Sequence, residues 1–153
     1  MNSLITNAEN GEFVLKDIVY KVTNALIYAE FQDMEIILSI DTVAEKDDDK
    51  IEYELSRVRL YHEDGFNTHT STFKELKGKK FHLELDPDSD EAAAGTLYVL
   101  EHEDITKCVI EILNITDNKI TVHWSGSANV YANEEYSENV PFDTVFTADI
   151  LKS

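Results

Sequence analysis

The sequence contains little of what usually cross-links or divides a chain. Its 153 residues include one cysteine, 2 prolines and 5 glycines. The single cysteine, Cys108, excludes an internal disulfide, which suits a reducing compartment. No Pro-rich or Gly-rich linker and no internal repeat interrupts the chain. We therefore interpret residues 1–153 as one domain, whose length lies within the usual range for a single hydrophobic core.

Positive charge is also scarce, with 13 Lys and Arg against 31 Asp and Glu, for a formal net charge of −18. Because each contacted phosphate needs a cation nearby, we expect no direct binding to nucleic acid. Anionic membranes are disfavoured for the same reason, and no apolar run approaches the roughly 20 residues that span a bilayer. The N-terminal residues lack the pattern of a secretory signal. These absences together predict a cytoplasmic protein.

The basic residues that are present are unevenly spaced. Three long stretches lack any Lys or Arg: 22–45, 81–106 and 120–151. Four lysines cluster just before the second stretch: Lys74, Lys77, Lys79 and Lys80. Part of the folded surface should therefore be strongly negative and carry one small basic spot. Acidity of this kind either keeps a protein soluble or forms a face that steers a basic partner towards it.

Alternation of apolar and polar residues predicts strands along most of the chain. Four segments show the alternation: 51–61, 81–85, 120–124 and 142–150. Three runs are apolar on both phases and predict strands covered on both faces: 34–40, 96–100 and 108–113. A further segment, 25–31, fits either a strand or two turns of helix.

The turn signals support an all-β chain. Asp64-Gly65 predicts a hairpin turn, and Asp117-Asn118 predicts a second one between two strong strands. One short helix is predicted over 88–95, where the alanines favour helix and Gly95 would end it. We predict a single antiparallel β-sandwich or barrel of about nine or ten strands with at most one or two short helices.

Motifs for catalysis are missing. Ser125 lacks the residues of a nucleophile elbow, and Cys108 lies in an apolar run where burial should raise the pKa of its thiol and leave it inert. No Gly-rich phosphate loop is present. We therefore expect a protein that is not an enzyme and that needs no cofactor.

Metal binding has only weak sequence support. The segment 86–90 has carboxylates at alternate positions, as calcium loops do, but a glutamate stands where the turning glycine should be. His82 and His123 could share a divalent ion with Glu84 if their strands were neighbours. We assign no metal site from the sequence.

The strongest indication of a binding site is an aromatic and acidic stretch near the C-terminus, which contains no basic residue. Residues 131–140 are predicted to form an exposed loop. Loops that present tyrosine and asparagine on a rigid sheet are common binding surfaces. The predicted partner-binding residues are Tyr131, Asn133, Glu134, Glu135, Tyr136 and Glu138. In the simpler interpretation, Trp124, Phe142 and Phe146 belong to the core and the tyrosines cover its edge.

Two functional hypotheses follow from these patterns. The first is a non-enzymatic, acidic protein-binding module, of the kind formed by immunity proteins or antitoxins, that engages a basic protein partner by opposite charge. The alternative is a β-sandwich ligand-binding module for a carbohydrate or a divalent metal ion. The size, the charge and the absence of catalytic motifs favour the first.

Overall fold

The fold consists almost entirely of strands. The structure, a computed structural model, describes residues 11–46, 57–86, 88, 93–99, 102–132 and 135–152. Nine strands and one 3₁₀ helix lie in these ranges: β1 (Gly11–Leu15), β2 (Ile18–Gln32), β3 (Glu35–Glu45), β4 (Arg57–Asn67), the 3₁₀ helix (Phe73–Leu76), β5 (Lys80–Glu84), β6 (Thr96–Tyr98), β7 (His102–Ile115), β8 (Lys119–Ala132) and β9 (Glu135–Lys152). The predicted all-β class, with its strand count and few helices, is confirmed.

The strands close into a barrel. Hydrogen bonds connect them in the order β7-β6-β4-β3-β2-β1-β9-β8, and β8 pairs back with β7 to complete the ring. The pairs are antiparallel except where the end of β2 runs parallel to the end of β9. β5 and β6 pair with the same edge of β7 and act as one strand that the segment 85–95 interrupts. The barrel form of the predicted fold is therefore the one adopted.

A single core fills the barrel, because alternate residues of each strand point inward. On β3 the positions 36, 38, 40, 42 and 44 are buried, as are 120, 122 and 124 on β8. The largest fully buried side chains include Trp124, Tyr20, Phe13 and Phe146. Phe142 stacks on Phe13 with a centroid distance of 6.1 Å and receives the edge of Trp124 at 6.4 Å. Trp124, Phe142 and Phe146 thus belong to the core.

One end of the barrel is covered by residues 68–79, which we call the closing segment. The segment begins on β3, where the Thr68 amide donates to the carbonyl of Ile36 at 3.0 Å. It ends on β7, where the Gly78 amide donates to the carbonyl of Ile112 at 2.7 Å. Between these attachments the 3₁₀ helix places Leu76 in the core, where its side chain is fully buried. The closing segment is therefore part of the core and not a surface loop.

Several local predictions can now be compared with the structure. Residues 25–31 form part of β2, and the turn at Asp117-Asn118 joins β7 to β8 as predicted. The hairpin predicted at Asp64-Gly65 is wrong, because β4 continues through it as a bulge. In the pairing of β3 with β4 the register jumps from Ile40–His62 to Leu38–Phe66, so that three residues of β4 oppose one of β3.

Half of the short helix predicted over 88–95, residues 89–92, lies outside the described ranges, and residues 93–95 form a turn and no helix. The helix that the described chain does contain is the 3₁₀ turn of the closing segment. No helix in the described part of the chain is long and apolar enough to cross a bilayer.

Candidate functional site

The predicted binding stretch is a hairpin, not a loop. β8 and β9 stay paired up to Tyr131–Tyr136 and Ala132–Glu135, so the prediction of an exposed loop over 131–140 is wrong. In the described part of the chain, β8 beyond Ala128 and β9 before Phe142 pair only with each other, so both faces of this ribbon can be polar and no period-two pattern appears in the sequence. We call this end of the barrel, where β7 begins and β8 turns into β9, the hairpin end.

Three of the six predicted partner-binding side chains can be placed at the hairpin end. Tyr136 is 50% exposed and lies directly across from the half-buried Tyr131. Glu138 is exposed one pleat further along β9. Asn133, Glu134 and the side chain of Glu135 lie outside the described part of the chain. The described members therefore form an aromatic pair with a carboxylate beside it.

Carboxylates from a second strand converge on the same place. Partial desolvation raises the pKa of the Tyr136 phenol above its ordinary value of 10.0. The negative charges of Glu103, Glu138 and Asp104 raise this pKa further. Glu103 and Asp104 belong to β7, whose first residues lie at the hairpin end because β7 is antiparallel to β8. Tyr136 thus lies in the negative field of two separate elements of the sheet.

The base of the hairpin is fixed by side-chain contacts among β7, β8 and β9. The backbone N–H of Asn139 donates to the side-chain Oδ1 of Asn129 at 3.1 Å, across a register shift between β8 and β9. Thr106 Oγ1 of β7 lies 2.9 Å from the carbonyl oxygen of Ser127 and 3.2 Å from Oδ1 of Asn139. One threonine therefore contacts both strands of the hairpin and holds its base against the barrel.

One group of basic residues lies at the end of the barrel opposite the hairpin. The closing segment, the starts of β5 and β8 and the end of β9 meet there and carry Lys74, Lys77, Lys79, Lys80, Lys119 and Lys152. The basic spot predicted from the lysine cluster is thus separated from the hairpin by the length of the barrel. A second group, which includes Lys16, Lys21, Arg57 and Arg59, lies at the hairpin end on the side formed by β1–β4, so the acidic surface is confined to the side formed by β7–β9.

The predicted neighbourhood of His82 and His123 does not form. β7 lies between their strands, with His82 opposite Val109 and His123 opposite Glu111. His123 instead donates from Nε2 to Oδ1 of Asp143 on β9 at 2.7 Å. Within the described ranges, no three His, Cys, Asp or Glu side chains are placed to share one metal ion.

The buried histidine and cysteine hold the chain that leads into β6. His62 Nε2 lies 2.9 Å from the carbonyl oxygen of Ala93, so this nitrogen carries the proton and donates. The Cys108 thiol donates to the carbonyl of Ala94 at 3.4 Å. Burial raises the pKa of the Cys108 thiol to about 11. The upward direction of this shift was predicted from the sequence. The thiol is therefore protonated at neutral pH, and both side chains have structural contacts.

Sequence reasoning missed three residues of the hairpin end. Glu103 and Asp104 belong to 81–106, the second stretch without basic residues. The lack of nearby positive charge was the sequence signal that could have found them. Thr106 had no such signal, because its role depends on how β7 aligns with β8 and β9.

In comparisons with known proteins, no protein-family model, no curated protein and no solved structure matches the chain.

Proposed function

We propose that the chain is a non-enzymatic, acidic protein-binding module that engages a basic protein partner through its hairpin end. The observation that carries this proposal is the placement of carboxylates from β7 and β9 around the half-exposed Tyr136, whose pKa is raised by desolvation and further by their charges. An immunity or antitoxin role in the cytoplasm, in which the module covers a basic effector protein, fits this character. The proposal includes no reaction.

The chemistry of the hairpin end favours a lysine or arginine side chain of the partner. A cation placed over the face of a tyrosine ring is attracted by the ring quadrupole, and nearby carboxylates add direct ion pairs. Tyr136 supplies the exposed ring, and Glu138 and Asp104 supply exposed carboxylates. Asn133, Glu134 and Glu135 remain predicted members of the same surface.

Charge also favours the encounter. A basic partner is attracted by the net charge of −18 and by the carboxylates of β7 and β9, and it is disfavoured at the lysine cluster of the closing segment. Association should therefore be fast at low ionic strength and slow down as salt screens the exposed charges.

A tetra-arginine peptide is the probe for this proposal. We expect its binding to shift the amide resonances of 103–104, 131–132 and 135–138 in a ¹⁵N correlation spectrum, with little change at the closing segment. Glu138→Lys should weaken binding about tenfold, because a favourable charge contact becomes a repulsive one. Glu30→Lys is the matched control: it makes the same change in net charge at an exposed strand position near the other end.

Two outcomes would contradict the proposal. Shifts spread evenly over all acidic surfaces would show that the peptide responds to the net charge alone. Equal weakening by Glu138→Lys and Glu30→Lys would show that the hairpin end has no special role.

A further inference from the structure

A shallow groove crosses the outer face of the barrel over β5, β7 and β8. Its volume is about 410 Å³, and its lining combines groups of both charges with a larger share of apolar surface. Lining side chains from the three strands include His82, Glu84, Lys107, Val109 and Ser125. The partner-binding proposal does not use this groove.

The register of the strands explains its shape. His82, Val109 and Ser125 lie side by side across the three strands and form one wall. Glu84 and Lys107 lie two residues further along and form the other wall. The two rows are about 7 Å apart, since each residue of a strand advances the chain by about 3.4 Å. The groove therefore runs across the strands and not along them.

Gly126 allows β8 to approach β7 closely at the bottom of the groove. A Cβ at this position would overlap the carbonyl oxygen of Lys107 and would lie 2.8 Å from the Cα of Cys108. β7 and β8 thus approach closely at this point, and the backbone itself forms part of the floor.

The two charged groups of the groove are available to a ligand. Glu84 and Lys107 are direct partners in the pairing of β5 with β7, and both are exposed. Within the described part of the chain, neither forms an ion pair. His82 and Ser125 add a ring nitrogen and a hydroxyl on the facing wall, and both groups can donate or accept hydrogen bonds.

We infer that this groove binds a small zwitterion of the amino-acid or dipeptide class. Glu84 and Lys107 present one charge of each sign side by side, so a ligand with a single charge can pair with only one of them. A molecule that carries both charges can pair with both at once. Its carboxylate meets the Lys107 ammonium, its own ammonium meets the Glu84 carboxylate, and its apolar part lies on Val109. The volume suits a ligand of this size, since small-molecule sites begin at about 300 Å³.

Glycyl-leucine is the probe for this inference, compared with N-acetyl-glycyl-leucine and glycyl-leucinamide, which keep only one charge each. We expect glycyl-leucine to shift the amide resonances of Val109, Ser125 and Gly126 with a millimolar dissociation constant. Each single-charge derivative should bind about tenfold more weakly, as should the Lys107→Met and Glu84→Gln variants, because each change removes one charge-assisted contact.

The control variant is Asp149→Asn, which alters an exposed ion pair with Lys119 at the far end of the barrel. It should leave the affinity for glycyl-leucine unchanged. Equal binding of all three probes, or no shift at the groove with folded wild-type protein, would overturn the inference. Tighter binding of maltose, a neutral sugar, than of glycyl-leucine would also overturn it. None of these results depends on the hairpin end.

Discussion

Replacing Leu76 by alanine tests whether the closing segment is an integral part of the core. Leu76 is fully buried, although it lies in a short 3₁₀ helix between two segments without regular structure. It is the only residue of that helix that is buried, since Phe73 is half-buried and the other two are exposed. If the barrel needs this side chain to complete its core, shortening it should cost as much as a substitution inside the barrel.

The expected loss of unfolding free energy is about 3 kcal/mol. Leucine-to-alanine substitutions at fully buried sites cost about 2–5 kcal/mol, because the lost transfer free energy is joined by the cost of the cavity left behind. We place Leu76→Ala below the upper limit because its segment is attached at its two ends. The backbone attachments to β3 and β7 lie at Thr68, Thr70, Gly78 and Lys79, so the residues between Thr70 and Gly78 can shift towards the cavity.

Urea unfolding followed by circular dichroism measures this loss. We expect a lower midpoint with an unchanged slope, because the surface exposed on unfolding stays nearly the same. Leu151→Ala is the matched control: this leucine is 43% exposed, and its truncation should cost less than about 1 kcal/mol. If Leu76→Ala costs no more than Leu151→Ala, the closing segment is not part of the core and our account of this barrel end is wrong.

Two further predictions concern the core. Gly126→Ala should lower stability by about 1–3 kcal/mol in the same urea assay, because its Cβ would overlap the Lys107 carbonyl, whereas a cost near zero would mean that β7 and β8 can separate freely. Burial raises the pKa of Tyr20 to about 12 and that of Cys108 to about 11, so the folded state keeps protons that the unfolded chain loses. Stability should therefore fall as the pH rises from about 9 to 12, by up to about 3 kcal/mol for each group. Cys108→Ala should remove the part of the fall between about pH 9 and 11, and an unchanged pH profile in this variant would contradict the assignment.

The strands could be predicted from the sequence because alternation in this chain reflects burial directly. On β8, Ile120, Val122 and Trp124 enter the core and the residues between them are half-buried, as the alternation in the sequence predicts. On β3, in contrast, the prediction that 34–40 is covered on both faces is wrong: every second residue from Ile36 to Ala44 is buried, and the outer phase is only half-covered. The closure of the ring could not be predicted. It depends on β7 pairing with β8, β6 and β5, and these contacts are set by register and not by the composition of any one strand.

Two turns illustrate the limits of local signals. Asp64-Gly65 has the composition of a hairpin turn, yet Gly65 takes a φ of 80° inside a bulge of β4. The turn between β2 and β3 falls on Asp33 and Met34, which have φ values of 52° and 69°. A methionine rarely adopts positive φ, so the pairing of two long strands decides the position of this turn against the local preference.

The residues of the candidate site could likewise be predicted only in part. Tyr131, Tyr136 and Glu138 could be selected from the sequence because they belong to one aromatic and acidic stretch. Glu103 and Asp104 could not be joined to them, since about 30 residues separate the two groups along the chain and only the pairing of β7 with β8 brings them together.

Strand direction explains why an uneven sequence of charges becomes an acidic surface on β7, β8 and β9. β8 starts at Lys119 and β9 ends at Lys152, both at the barrel end covered by the closing segment, so the stretch between them runs to the hairpin end and back without a basic residue. The stretch that follows Lys80 begins at the same covered end and reaches the hairpin end through β6 and the start of β7. Because these strands are antiparallel neighbours, the middle of the stretch 120–151 meets the last residues of the stretch 81–106, which include Glu103 and Asp104. The acidic surface on β7–β9 therefore results from where the lysines stand relative to the turns, and the same net charge with lysines placed near residues 103 and 138 would abolish it.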